Sequence, residues 1–255
     1  MMTRVIQPLP AEIQEQMVRT GVFPEGCPVS MERLALLRVA YIDFDGNEHE
    51  DGEIIVMDVV AEHVVSIFLG LKERRFPIAG IRGLHCYDAC DKASMADNNT
   101  SSFNFRRVDE SDSFSLHAYG LAIDINPLFN PFVCFEQPEG LARISPPGGW
   151  RYLNRGKQLP GMVESVTDLF AQHGFVVWGG NWTTPIDYHH FQLPRGLAEL
   201  LALTTFTDGK RLLELALAAS EFAGLPDGAA LANLNALYPG DKDAFFKAFS
   251  KLLTC

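Results

Sequence analysis

The stretch from Ser115 to Asn126, SLHAYGLAIDIN, constrains the fold more than any other part of this chain. Its second half alternates: Leu121, Ile123 and Ile125 face one way, and Ala122, Asp124 and Asn126 the other, which is the period of a strand. An acid on a strand this apolar must be solvated, paired or bound to a metal. His117 lies seven residues before Asp124, an odd separation that sends the two to opposite faces of a straight strand. A bend at Gly120 removes the objection and lets both side chains reach one point.

The surrounding pattern predicts short elements of mixed type. Residues 11–19 read as a helix. Leu36 to Phe44 and Glu53 to Met57 read as strands of a hairpin with a longer loop marked by Asp45-Gly46 and Asp51-Gly52. Val60, Val64, Ile67, Phe68 and Leu71 recur at helical spacing, with Asp58 as the expected N-cap. Ile78 to Tyr87 reads as a strand. The polar run ADNNTSSFNFRR is expected outside the core, and a Pro-rich loop over 127–149. A helix is expected from Pro160 to Gly174, strands at Phe175–Trp178 and Tyr188–Leu193, and helices from Arg195 onward. Strands and helices do not alternate as in a doubly wound sheet. The expected class is α+β: a small antiparallel sheet with flanking helices, plus a C-terminal helical appendage. The expected division is an N-terminal segment 1–34, a core 35–194 and a helical extension 195–255.

Composition narrows the function. With 21 Lys+Arg against 32 Asp+Glu the chain carries −11 and has no basic run, a poor basis for holding phosphates. No apolar stretch approaches the roughly 20 residues of a membrane-spanning helix, and MMTRVIQPLPAEIQEQ has no apolar segment of the secretory type. Location is left undetermined. The five cysteines (Cys27, Cys86, Cys90, Cys134, Cys255) are odd in number and scattered, so they are expected as free thiols rather than a disulfide framework or a zinc cluster.

Of seven histidines, His49, His63, His85 and His173 are expected to be solvated or hydrogen-bonded. The rest of the chemistry gathers in WGGNWTTPIDYHHFQLP, residues 178–194. Gly179 and Gly180 permit close backbone approach, and Trp178 and Trp182 can wall a pocket or pack. His117, Asp124 and one of His189 or His190 supply two nitrogens and a carboxylate, leaving a fourth tetrahedral position open as in catalytic zinc sites. Asp187 beside them is a free carboxylate suited to general-base work. Counting does not choose between the two histidines.

The pattern SxHxxGxAxDxN followed by WGGxWxxxxDxxHFQ, with DNNTSSFNFR at 97–106 upstream, resembles the zinc D-alanyl-D-alanine carboxypeptidases and L-alanyl-D-glutamate endopeptidases that cut bacterial cell-wall peptides. The resemblance spans about 35 to 194. It implies one Zn2+ held by His117, Asp124 and His190, the histidine directly before Phe. It further implies that Asp187 takes the proton of the attacking water and that Arg106, with Arg107 as the alternative, steadies the oxyanion. Ser115, Arg106 and Trp182 are then the substrate-binding candidates, and peptidoglycan stem peptides the expected partners. Two rivals stand beside this: a serine hydrolase built on Ser115, His117 and Asp124, and a silent binding module that keeps the zinc fold.

Overall fold

Three small antiparallel sheets, rather than one, organise the computed structural model, which describes residues 5–108, 111–136, 141–219 and 229–253. In chain order come β1 (Val5–Pro8), α1 (Ala11–Thr20), β2 (Leu34–Ile42), β3 (Glu48–Met57), α2 (Ala61–Glu73) and α3 (Asp91–Ala96). Then follow β4 (Ala122–Asp124), β5 (Phe132–Glu136), β6 (Leu141–Ser145), α4 (Thr167–Gln172), β7 (Val177–Trp178), β8 (Ile186–Asp187) and β9 (His190–Gln192). The last helices are α5 (Arg195–Leu203), α6 (Phe206–Leu217), α7 (Ala229–Leu237) and α8 (Lys242–Leu252). The sheets run β1-β2-β3, β4-β9-β7 and β6-β5-β8, and every strand pair in them is antiparallel.

The first sheet is the scaffold. β2 is buried along both faces, because its Leu, Val and Ala positions are apolar in both parities. The amphipathic stripe of α2 (Val64, Ile67, Phe68, Leu71) packs on it. One hydrophobic cluster runs from Met17 of α1 through this sheet to Ile123 and Phe191 of the second, and on to Leu201, Leu212 and Phe249 of the C-terminal helices. Among the described residues no helix is long and apolar enough to cross a membrane. Cys27, Cys86, Cys90 and Cys134 are free thiols; Cys255 lies outside the described residues.

Several local expectations change. The hairpin loop is short, because β3 begins at Glu48: Asp43 accepts from the backbone of Asp45 and Asn47 and closes the turn, while polar, exposed residues disguise the start of the strand. Asp58 does not cap α2; its carboxylate is held by the Arg33 guanidinium at 2.9 Å, and a short 3-10 turn precedes the helix. Ile78 to Tyr87 is not a strand. Gly80 and Gly83 interrupt it, Ile78 and Ile81 only bond singly to Ile42 and Glu53, and residues 84–87 form a 3-10 turn. The Pro-rich stretch contains the β5–β6 hairpin. The helix expected from Pro160 begins as a 3-10 turn at Val163 and becomes α4 only at Thr167.

The largest correction concerns the polar run. Asn98, Asn99, Thr100, Ser101 and Ser102 are all buried. Most of their polar atoms find partners, Asn99 Oδ1 excepted: Ser102 Oγ donates to the Ala122 carbonyl, Asn99 Nδ2 to that of Arg82, and Asn98 and Thr100 accept from Leu128 and Asn126. Burial of amides and hydroxyls is tolerated when they are hydrogen-bonded, and here it presses this segment against β4, where Ser101 and Asp124 exchange backbone bonds.

Candidate metal centre and its cavity

Two features of local structure bring His117 and Asp124 together. Residues 116–119 form a 3-10 turn that ends at Gly120 in the left-handed region, φ +68°. Its carbonyl accepts from Met57, and a Cβ there would come within 2.6 Å of the Met57 nitrogen, so only glycine fits this bend. Asp124 then ends β4 directly opposite His190 of β9, in the register Ala122↔Gln192, Ile123↔Phe191, Asp124↔His190. Cross-strand partners share a face, and the opposite face carries Ile123 and Phe191 into the core.

The donor atoms converge. His117 Nε2 lies 3.2 Å from Asp124 Oδ1 and 3.1 Å from His190 Nδ1, and His190 Nδ1 lies 3.1 Å from Asp124 Oδ1. A tetrahedral ion with ligand bonds of the zinc type has ligand–ligand edges of about 3.3–3.4 Å, close to this triangle. The outward ring nitrogens are fixed as donors: His117 Nδ1 to the Ser102 carbonyl at 2.6 Å, His190 Nε2 to Gln192 Oε1 at 2.8 Å. The inward nitrogens therefore present lone pairs, and with the carboxylate they make three acceptors facing one another. Such a set takes up a proton or a cation between its members, and the residues fit a divalent metal. Burial opposes Asp124's charge, but His117, His189 and His190 outweigh it and hold the carboxyl well below the usual carboxylate range. Within the described residues, this trio is the one group of three or more His, Cys, Asp or Glu side chains able to hold an ion.

His190 connects the trio to a cavity of about 340 Å³, within the usual size of a ligand site. Arg106, Ser115, Trp182 and Asp187 line the same cavity, so the structure brings together the candidates that lie 81 residues apart in sequence, from Arg106 to Asp187. Ser115 donates its backbone N–H to the Arg106 carbonyl, which ties the two to one wall. Arg106 Nε is buried without a partner. Arg107 is turned outward, its guanidinium stacked on Phe114 and beside Asp112, and does not line the cavity. Trp182 stands 5.3 Å from the His190 ring, whereas Trp178 donates to the Tyr188 carbonyl and stacks on Phe191, so one tryptophan walls the cavity and the other packs.

Asp187 sits on β8, paired with Phe132 of β5, and Gly179 lies so close that a Cβ would meet the Asp187 carbonyl oxygen at 2.5 Å. Its Oδ1 is buried without a hydrogen-bond donor. His189 Nε2 is only 2.9 Å away but off the hydrogen-bonding line, so that contact is electrostatic. His189, the other histidine that counting allowed as a ligand, is buried; its Nδ1 donates to the backbone carbonyl of Asn130, whose side-chain Oδ1 accepts from Arg155, itself paired with Glu164. Burial opposes a charge on His189, but Asp187 and Asp124 raise its pKa to about 10. Ser115 Oγ accepts from the backbone of His117 rather than meeting its ring, which leaves the serine-hydrolase arrangement unformed.

Residues 109–193 match a family model described as D-alanyl-D-alanine carboxypeptidase, one of the M15 peptidase models, and this supports a peptidase. No curated protein and no solved structure matches the chain.

Proposed function

We propose that this chain is a zinc-dependent peptidase that hydrolyses bonds in peptidoglycan stem peptides, in the manner of a D-Ala-D-Ala carboxypeptidase. The observation that carries this is the triangle of His117, Asp124 and His190, with edges of 3.1–3.2 Å, sharing a cavity with the carboxylate of Asp187, which His189 Nε2 contacts at 2.9 Å. The family match over 109–193 supports a cell-wall peptide as the substrate class.

In this reading the three residues hold one Zn2+, which supplies Lewis acidity toward water and the peptide carbonyl. The Asp187 carboxylate, which lines the cavity, accepts the proton of the attacking water and returns it to the leaving amine. Arg106 Nε, buried and unpartnered, donates to the carbonyl oxygen as negative charge develops there. Ser115 and Trp182 position the peptide. His189 stays beside Asp187 and, through Asn130, holds that corner in place.

An endopeptidase that cuts between L-Ala and D-Glu uses the same residues and is the second form of the reading. A metal-holding module without turnover has no use for a carboxylate at Asp187 lining the cavity. The test is mass spectrometry of purified stem peptides incubated with the zinc-loaded chain, with and without chelator. Chelator-sensitive loss of one alanine identifies the carboxypeptidase, and a cut after the first L-Ala the endopeptidase. Intact peptides in the presence of bound zinc overturn the peptidase reading.

A further inference from the structure

Arg195, the first residue of α5, lines the same cavity as Arg106, Asp187 and His190. It is an electrostatically odd choice: the start of a helix carries partial positive charge and favours acids, and the first turn of α5 contains none. A residue that breaks a local rule points to a role elsewhere. Its side chain is steadied by two contacts, both through Nη1: the Phe114 carbonyl at 3.1 Å and Glu199 at 3.5 Å. Phe114 directly precedes Ser115, whose N–H bonds to the Arg106 carbonyl, so both arginines are tied to one wall. The guanidinium fork keeps further donors at Nε and Nη2.

Charge makes the case. The chain as a whole carries −11, yet the charged residues lining this cavity, His190 aside, are Arg106, Arg195 and Asp187. An acidic protein thus turns a locally cationic pocket toward its substrate. With Asp187 occupied by the proton and Arg106 by the carbonyl, Arg195 is left for a second anionic group, and a planar fork matches a carboxylate in bidentate fashion.

Resting on the peptidase reading, we propose that Arg195 is a specificity-determining residue that binds a free substrate carboxylate close to the scissile bond. That chemistry has two sources in a stem peptide: the C-terminal carboxylate, or the α-carboxylate of a γ-linked D-Glu.

The test is calorimetric binding to the zinc-loaded Asp187→Asn chain, with and without Arg195→Ala or Arg195→Gln, alongside turnover by the native chain. Three versions of one stem pentapeptide serve as probes: unmodified, C-terminally amidated, and amidated at the D-Glu α-carboxylate. Removing the recognised carboxylate weakens binding about 10–100-fold, as expected for a charge-assisted contact. Arg195→Ala and Arg195→Gln weaken the unmodified peptide equally, and the two losses do not add. Whichever amidation behaves so names the source. Equal loss for all three peptides, no loss, or no binding by any of them overturns the proposal. Arg195-dependent binding without turnover would leave the proposed contact standing and sink the peptidase reading; turnover indifferent to both amidations does the reverse.

Discussion

Asp124 and His190 stand directly opposite each other across β4 and β9, with Oδ1 and Nδ1 3.1 Å apart, a gap that a proton or a metal ion must bridge. With His117 Nε2 3.2 Å from the same oxygen, three ligand atoms stand poised around one ion. Chelation should therefore lower the melting temperature, and titrating zinc back should restore it in proportion to occupancy. An unchanged melt after metal removal, verified by elemental analysis, would contradict a built metal site.

Asp187→Ala should keep stoichiometric zinc and lose turnover by about 10²–10⁴-fold, the usual contribution of a general base. His117→Ala should lose both, since it removes one corner of the triangle. Metal content after gel filtration separates the two outcomes, and full activity in Asp187→Ala would refute the assigned base.

Gln192 accepts from His190 Nε2 at 2.8 Å and so turns Nδ1 toward Asp124 and His117. Gln192→Leu removes that acceptor and frees the ring to turn. Zinc affinity should fall about 10–100-fold in competition with a chromophoric chelator.

Gly120→Ala forces a side chain into φ +68° and 2.6 Å from the Met57 nitrogen. Strain of this kind costs about 1–3 kcal/mol, and each kcal/mol is worth about 2–4 °C in a chain of this size. The melting point should drop by several degrees, and zinc should bind more weakly because the bend carries His117. A scanning calorimetry trace and a metal titration read both.

His63 of α2 and His173, just after α4, meet through Nδ1 atoms 3.4 Å apart, near Glu62, Lys210 and Glu214. Burial pushes both below the ordinary histidine value of 6.5. As pH falls through 6.5 the unfolded chain takes up protons that the folded chain refuses, so this pair costs stability below 6.5 and nothing above it. The melting temperature should fall between pH 7 and pH 5, and less steeply in His63→Asn/His173→Asn.

Much of the site could be read locally. The alternation of LAIDIN, the glycine at 120 and the Asp187-to-His190 segment each carry their meaning within about ten residues, because strand period and left-handed backbone are short-range physics. The buried polar run at 98–102 was not legible, since its amides and hydroxyls are satisfied by carbonyls and N–H groups that come from up to 30 residues away. Arg195 was missed although a basic residue right after Pro194, at the head of a helix, was a usable signal.

From the sequence alone came the kinds of donor, two histidine nitrogens and a carboxylate, and the bend that lets two of them meet. Counting donors left His189 and His190 open and the resemblance favoured His190; the tertiary structure brings that residue, with His117 and Asp124, to one point. The register of β4 on β9 puts His190 directly across from Asp124, with Nδ1 3.1 Å from Oδ1, while His189, one residue earlier, lies 2.9 Å from Asp187 and 3.7 Å from Asp124. A shift of one residue reverses the face of a strand, and register between strands 66 residues apart in sequence is settled by packing Ile123 and Phe191 into the core, a contact that no local pattern contains.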